Sequence, residues 1–131
     1  MTVVGGTGAA GTVTTTVGLT NTSSATCTMR GYPGMQLLSS SGAPIPTTVV
    51  RGGVQFPNPA ADAAPALVSL AAGAAARFSI QWTDVPVGGE TTCPASARSE
   101  VTPPTDTAYG VMTLNIAPCD HGTVHVSPVY T

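Results

Sequence analysis

The sequence predicts an all-β domain, an antiparallel β-sandwich of about seven to eight short strands. Three observations carry that prediction. Apolar and polar residues alternate with period two in several stretches, most cleanly from Ala75 to Thr83. Turn-forming residues recur about every ten positions, the spacing of short strands in a sandwich. Gly 15 and Pro 12 among 131 residues leave no room for long helices. No helical pattern alternates with the strands, which excludes a parallel α/β sheet.

The elements follow in chain order. Gly5 to Gly11 is a run of small residues without a Walker lysine and without a following helix, so it reads as a flexible turn and not a phosphate cradle. Thr12 to Leu19 sets Val13, Thr15, Val17 and Leu19 on one face and a threonine-rich row on the other, a half-buried strand. Asn21 to Ser24 is a turn cluster, and Ala25 to Arg30 a second strand with Cys27 and Met29 inward. Pro33-Gly34 suits the centre of a type II turn with Gly34 at positive φ, and Met35 to Ser39 is a third strand. Thr47 to Val50 is a short strand. Arg51 to Ala66 is the longest irregular stretch, with room for one helical turn between Pro59 and Pro65. Leu67 to Leu70 is strand-like. Ala75 to Thr83 then places Phe78, Ile80 and Trp82 toward the core and Arg77, Ser79 and Gln81 toward solvent. Asp84 to Thr92 is a loop. Ala97 to Val101, Tyr109 to Ile116 and Thr123 to Tyr130 are the last strands, with a turn at Asp120-His121-Gly122.

Length fits a single domain over residues 1–131. Only 8% of residues are charged; the four cations are all arginine, lysine is absent and the net charge is −2. No basic footprint exists for nucleic acid. Solubility falls to Ser, Thr, Asn and Gln, as in many secreted β proteins. No apolar run reaches the roughly 18 residues a spanning helix needs. The first residues carry neither a basic n-region nor an apolar h-region, and Met1 opens in what reads as the middle of a β domain. The expectation is a mature domain lacking its native N-terminal signal.

Six stretches together resemble a known family. They are Leu-Thr-Asn-Thr-Ser-Ser (19–24), Cys-Thr-Met-Arg-Gly-Tyr-Pro-Gly (27–34), Leu-Ala-Ala-Gly-Ala-Ala-Ala-Arg-Phe (70–78), Trp-Thr-Asp-Val-Pro (82–86), Val-Thr-Pro-Pro (101–104) and Cys-Asp-His-Gly-Thr-Val-His-Val-Ser-Pro-Val (119–129). In order and spacing they are similar to the actinobacterial exported family catalogued as domain of unknown function 4232. The resemblance implies an immunoglobulin-like sandwich, secreted or lipid-anchored at the cell envelope. It implies no activity. The family's usual members carry a further N-terminal strand and cysteine, so the expectation here is a domain without that first strand.

Three cysteines, at 27, 93 and 119, have no metal spacing. In an exported domain two of them pair. Cys93 precedes one late strand and Cys119 closes the next, and the resemblance places the usual partner of Cys27 upstream of Met1. The expectation is a Cys93–Cys119 bridge with Cys27 a buried free thiol; Cys27–Cys93 and Cys27–Cys119 are the rival pairings.

Catalytic chemistry finds little purchase. Asp120, His121 and His125 are the residues a metal would recruit, but a turn histidine and a strand histidine point to different surfaces, so no metal is expected. Ser127 shares a strand face with His125, yet nothing marks it as activated, and no nucleophile elbow is present. Asp84, Glu90 and Glu100 form no spaced carboxylate pair, and Trp82 beside Asp84 follows the core parity of Phe78 and Ile80. Tyr32, Tyr109 and Tyr130 are scattered, as is ordinary in a sandwich. No cofactor motif occurs. The expected function is non-enzymatic: binding of a protein or envelope component, or a structural envelope role. The candidate surface is the Arg51 to Ala66 loop with Arg51, Phe56 and Asp62, expected to be the most mobile internal segment. An envelope hydrolase and a self-assembling surface subunit are the competing classes; missing lysine gatekeepers make edge pairing cheap in the latter.

Overall fold

The computed structural model describes residues 2–9, 11–104 and 109–131, the first of these as backbone alone. In chain order the strands are β1 (Thr2–Ala9), β2 (Thr12–Thr20), β3 (Cys27–Met29), β4 (Gly34–Leu38) and β5 (Thr48–Arg51). After the helical turn α1 (Pro59–Asp62) come β6 (Val68–Leu70), β7 (Ala75–Thr83), β8 (Arg98–Thr102), β9 (Gly110–Thr113) and β10 (Thr123–Val126). The chain is therefore mostly β, and its strands form three sheets of order β1-β2-β7-β10-β5, β4-β8-β9 and β3-β6.

One apolar core joins all three sheets. Val17 and Leu19 from β2 and Phe78, Ile80 and Trp82 from β7 meet Leu37 of β4, Val101 of β8 and Leu70 of β6. These are the positions that period-two alternation puts on one face, and burying each large apolar side chain contributes about 1.5–3 kcal/mol. The β7 alternation works because β2 runs antiparallel along its whole length, from Thr12 opposite Thr83 to Thr20 opposite Ala75.

Several expectations fail for physical reasons. The small-residue run expected to be a turn lies mostly in β1, paired with β2 through Gly5–Thr16, Gly6–Thr15 and Gly8–Val13. Glycine has weak strand preference, so only the neighbouring strand specifies it. The sheets are not wholly antiparallel: β5 lies parallel to β10, Thr48 beside Thr123 through Arg51 beside Val126. The left-handed glycine near Pro33 is Gly31, at φ 104°, while Gly34 opens β4 in place of a type II turn. The last strand stops at Val126 because Pro128 has no N–H for the ladder. Pairing resumes beyond it, where Tyr130 and Arg77 exchange both backbone hydrogen bonds at 2.8 Å.

The β7 outer row is the largest correction. Arg77 is exposed, but Ser79 is 1% and Gln81 9% exposed. The segment after β5 folds back over this face. Phe56 and Ala61 pack with Tyr130 into a second small cluster, with Val54 at its edge. The Tyr130 hydroxyl lies 3.1 Å from Ser79 Oγ, and Gln81 Nε2 donates to the Gln55 carbonyl at 3.0 Å.

Candidate functional site

The polar face of the large sheet is where chemistry-bearing side chains gather. Register places Thr14, Gln81 and His125 side by side across β2, β7 and β10. Thr12 and Thr83 form the next rung toward one end. Gln81, His125, Thr12 and Thr83, with Val54, Thr123 and Asp120, line a cup of about 160 Å³. Trp82 also borders it, but its parity puts the indole on the core side.

Four side chains of the cup have a determined orientation. Gln81 Nε2 donates to Thr14 Oγ1 at 3.2 Å and to the Gln55 carbonyl at 3.0 Å. A carbonyl can only accept, so the amide is fixed with Oε1 as its remaining group. His125 Nδ1 lies 2.8 Å from the Gly52 carbonyl. That nitrogen must carry the hydrogen, which leaves Nε2 of the neutral ring as an acceptor. Thr83 Oγ1 donates to the Gly11 carbonyl and Thr123 Oγ1 to the Asp120 carbonyl, at 2.8 and 2.6 Å.

Asp120 is held in a turn of unusual hand. Asp120 and His121 have φ of 56° and 59°, and Gly122 follows at 78°. Two L-residues in the left-handed region cost energy that the surroundings must offset. A Cβ at residue 122 would collide with the Pro46 carbonyl, so only glycine closes this turn. Glu90 supplies the offset. Its carboxylate accepts from the backbone N–H of Asp120 at 2.8 Å and of His121 at 3.0 Å. The Val87 N–H also donates to it, at 3.1 Å. That Val87 bond most of all, with those from His121 and Asp120 and the nearby His121 ring charge, holds the Glu90 carboxyl below its ordinary range.

A family model described as Domain of unknown function (DUF4232) matches residues 1–130. The chain belongs to the DUF4232 family. No curated protein and no solved structure matches it.

In this DUF4232 domain the other candidate residues have definite places, and the Arg51 to Ala66 loop is fastened at Phe56 and Ala61 while most of its other residues are exposed. Phe56 is 3% exposed, an anchor and not a contact surface. Asp62 Oδ1 accepts from the Phe56 N–H at 2.7 Å and closes the loop on itself. Arg51 lies over the Tyr32 ring, 5.8 Å from its centroid. Ser127 is fully buried; its hydroxyl donates to the Pro128 carbonyl and accepts from the Ser79 N–H. Asp84 and Tyr109 are exposed and Glu100 half-buried, with none brought into the cup. Among the described residues no three of His, Cys, Asp and Glu come together as a metal would require. No helix there is long and apolar enough to cross a membrane.

Cys93 and Cys119 are joined, with Cα atoms 4.7 Å apart. Cys27 is free, but half-buried where full burial was expected, because β3 is a short outer strand beside a surface groove. Sequence reasoning missed Gln81, Thr12, Thr83 and Thr123 as site residues. Their polar period-two positions are visible in the sequence, but only strand order shows that they share a cup.

Proposed function

We propose that this DUF4232 chain is a non-enzymatic, exported binding domain of the cell envelope, built as an immunoglobulin-like sandwich. The observation that carries the reading is the way side chains of catalytic type are spent. His125 Nδ1, the Ser127 hydroxyl and the Ser96 and Ser99 hydroxyls all bond to backbone groups. A nucleophile needs a base beside it; Ser96, Ser99 and Ser127 are buried, and no serine or cysteine lines the cup that His125 borders. The Cys93–Cys119 bridge supports an oxidising compartment. The polar cup beside a pinned turn supports binding of something small.

The test is retention on immobilised domain from envelope extract, with reduced and alkylated domain as control. The expected result is a component retained only by the folded protein and recovered chemically unchanged. Recovery of a cleaved component would replace binding with hydrolysis, and equal retention by both forms would remove the reading. A second reading, self-assembly, is favoured by β1, an edge strand without proline or charge. Monomeric sedimentation across a concentration series would eliminate it.

A further inference from the structure

We infer that the cup between β2, β7 and β10 is a site for a primary ammonium group. The inference deepens the binding reading above and rests on it. Among the cup's side chains, three acceptors other than hydroxyls remain once the internal hydrogen bonds are assigned. Gln81 is nine-tenths buried, both its amide hydrogens are used, and Oε1 is left without a partner among the described residues. His125 donates through Nδ1 to Gly52, leaving Nε2. The Asp120 carboxylate takes no hydrogen bond among the described residues, although both its backbone groups are bonded.

Gln81 and His125 are direct cross-strand partners, so their Cβ atoms stand about 4.5–5.5 Å apart. An alkylammonium has three N–H donors and no acceptor, matching three acceptors of which one is charged. A neutral polyol matches less well: it brings no charge to set against Asp120, and Thr83 and Thr123 have spent their hydroxyl hydrogens, which leaves Thr12 as the lining hydroxyl still able to donate. Glu90, bonded to the Asp120 N–H, adds a second negative charge beside the cup. Arg51 does not compete for these acceptors: it sits over Tyr32, on the opposite parity from Val50, the β5 residue beside His125. The sequence contains no lysine. A cup of about 160 Å³ admits an aminomethyl group or one amino-sugar ring and nothing of drug size.

The experiment is a titration of isotope-labelled, disulfide-intact protein followed by amide NMR. The probes are n-butylammonium, Nα-acetyl-lysine amide and glucosamine, with glucose and N-acetylglucosamine as uncharged counterparts. Saturable shifts at Gln81, Asp120 and His125 are expected from the three ammonium compounds and not from the two sugars. Preference for glucosamine would assign the amine to a saccharide, and preference for the lysine amide to a protein side chain; either supports the site. Asp120→Asn, which tolerates the left-handed backbone, is expected to weaken binding about tenfold or more, and Gln81→Met to weaken it with the fold intact. Absence of saturable shifts, equal shifts from glucose, or an Asp120→Asn protein that binds like the parent would overturn the ammonium site. If these arms fail while the folded domain still retains envelope material, the ammonium site falls and the broader binding reading stands.

Discussion

Glu90 shows how one side chain maintains a costly local geometry. Val87 and Glu90 bracket Gly88 and Gly89, both at positive φ, and the Glu90 N–H returns to the Val87 carbonyl at 3.1 Å. This tight turn aims the carboxylate at the amides of Asp120 and His121. The Val87 N–H first, then the His121 and Asp120 amides, hold the folded carboxyl below its ordinary value of 4.5. A depressed folded pKa gives stability that is complete above the unfolded value and is lost as pH falls through the folded one. Parent and Glu90→Gln proteins should therefore differ in urea midpoint at neutral pH and converge as pH drops below about 4.5. A gap that stays constant down to acid unfolding would show that the carboxylate is not the latch. The sequence signals a turn at Asp120-His121-Gly122 but not its hand. Handedness depends on Pro46 and Glu90, remote residues that no local pattern places there.

At the scale of elements, alternation is informative about faces and silent about cover. The β7 bounds and its inward row Phe78, Ile80 and Trp82 are legible because nine residues keep one strict period. The burial of Ser79 and Gln81 is not, since it depends on the 51–66 segment returning over the sheet. Proline and glycine make such a segment look like a free loop, and only Phe56 marks the place where it is fastened. The candidate site meets the same limit: His125 and Asp120 stand out in the sequence, whereas the pattern assigns Gln81 to solvent. Phe56→Ala should cost about 3–5 kcal/mol, the range for emptying a buried aromatic position. It should also speed amide exchange at Val54 and Gln55 and near Ser79, while Phe78 and Ile80 stay protected. A variant that melts within a degree or two of the parent, with unchanged exchange, would return this segment to the status of a loose loop.

In the whole molecule one covalent link ties together two connections that run between the large sheet and the β4-β8-β9 sheet. Cys93 lies in the connection between β7 and β8 that carries the Glu90 latch, and Cys119 opens the left-handed turn that receives it. Bridge and latch therefore secure the same two segments, and the turn carries the cup's carboxylate. The separation of 26 residues corresponds to roughly 3–4 kcal/mol of stabilisation through the unfolded chain. A Cys93→Ser/Cys119→Ser protein should lose about that much in urea unfolding. Cys27 is half-buried and free, so the native parent should yield one slowly alkylated thiol and a single bridged peptide pair. The loss should fall unevenly. Asp120 and His121 amides should exchange faster in the double variant, while the β2–β7 ladder, paired along nine positions on each strand, keeps its order of protection. A double variant as stable as the parent would mean that the Glu90 contacts alone hold the turn. A bridged peptide containing Cys27 would overturn the pairing itself, and with it the bridge's part in fastening the turn that carries Asp120.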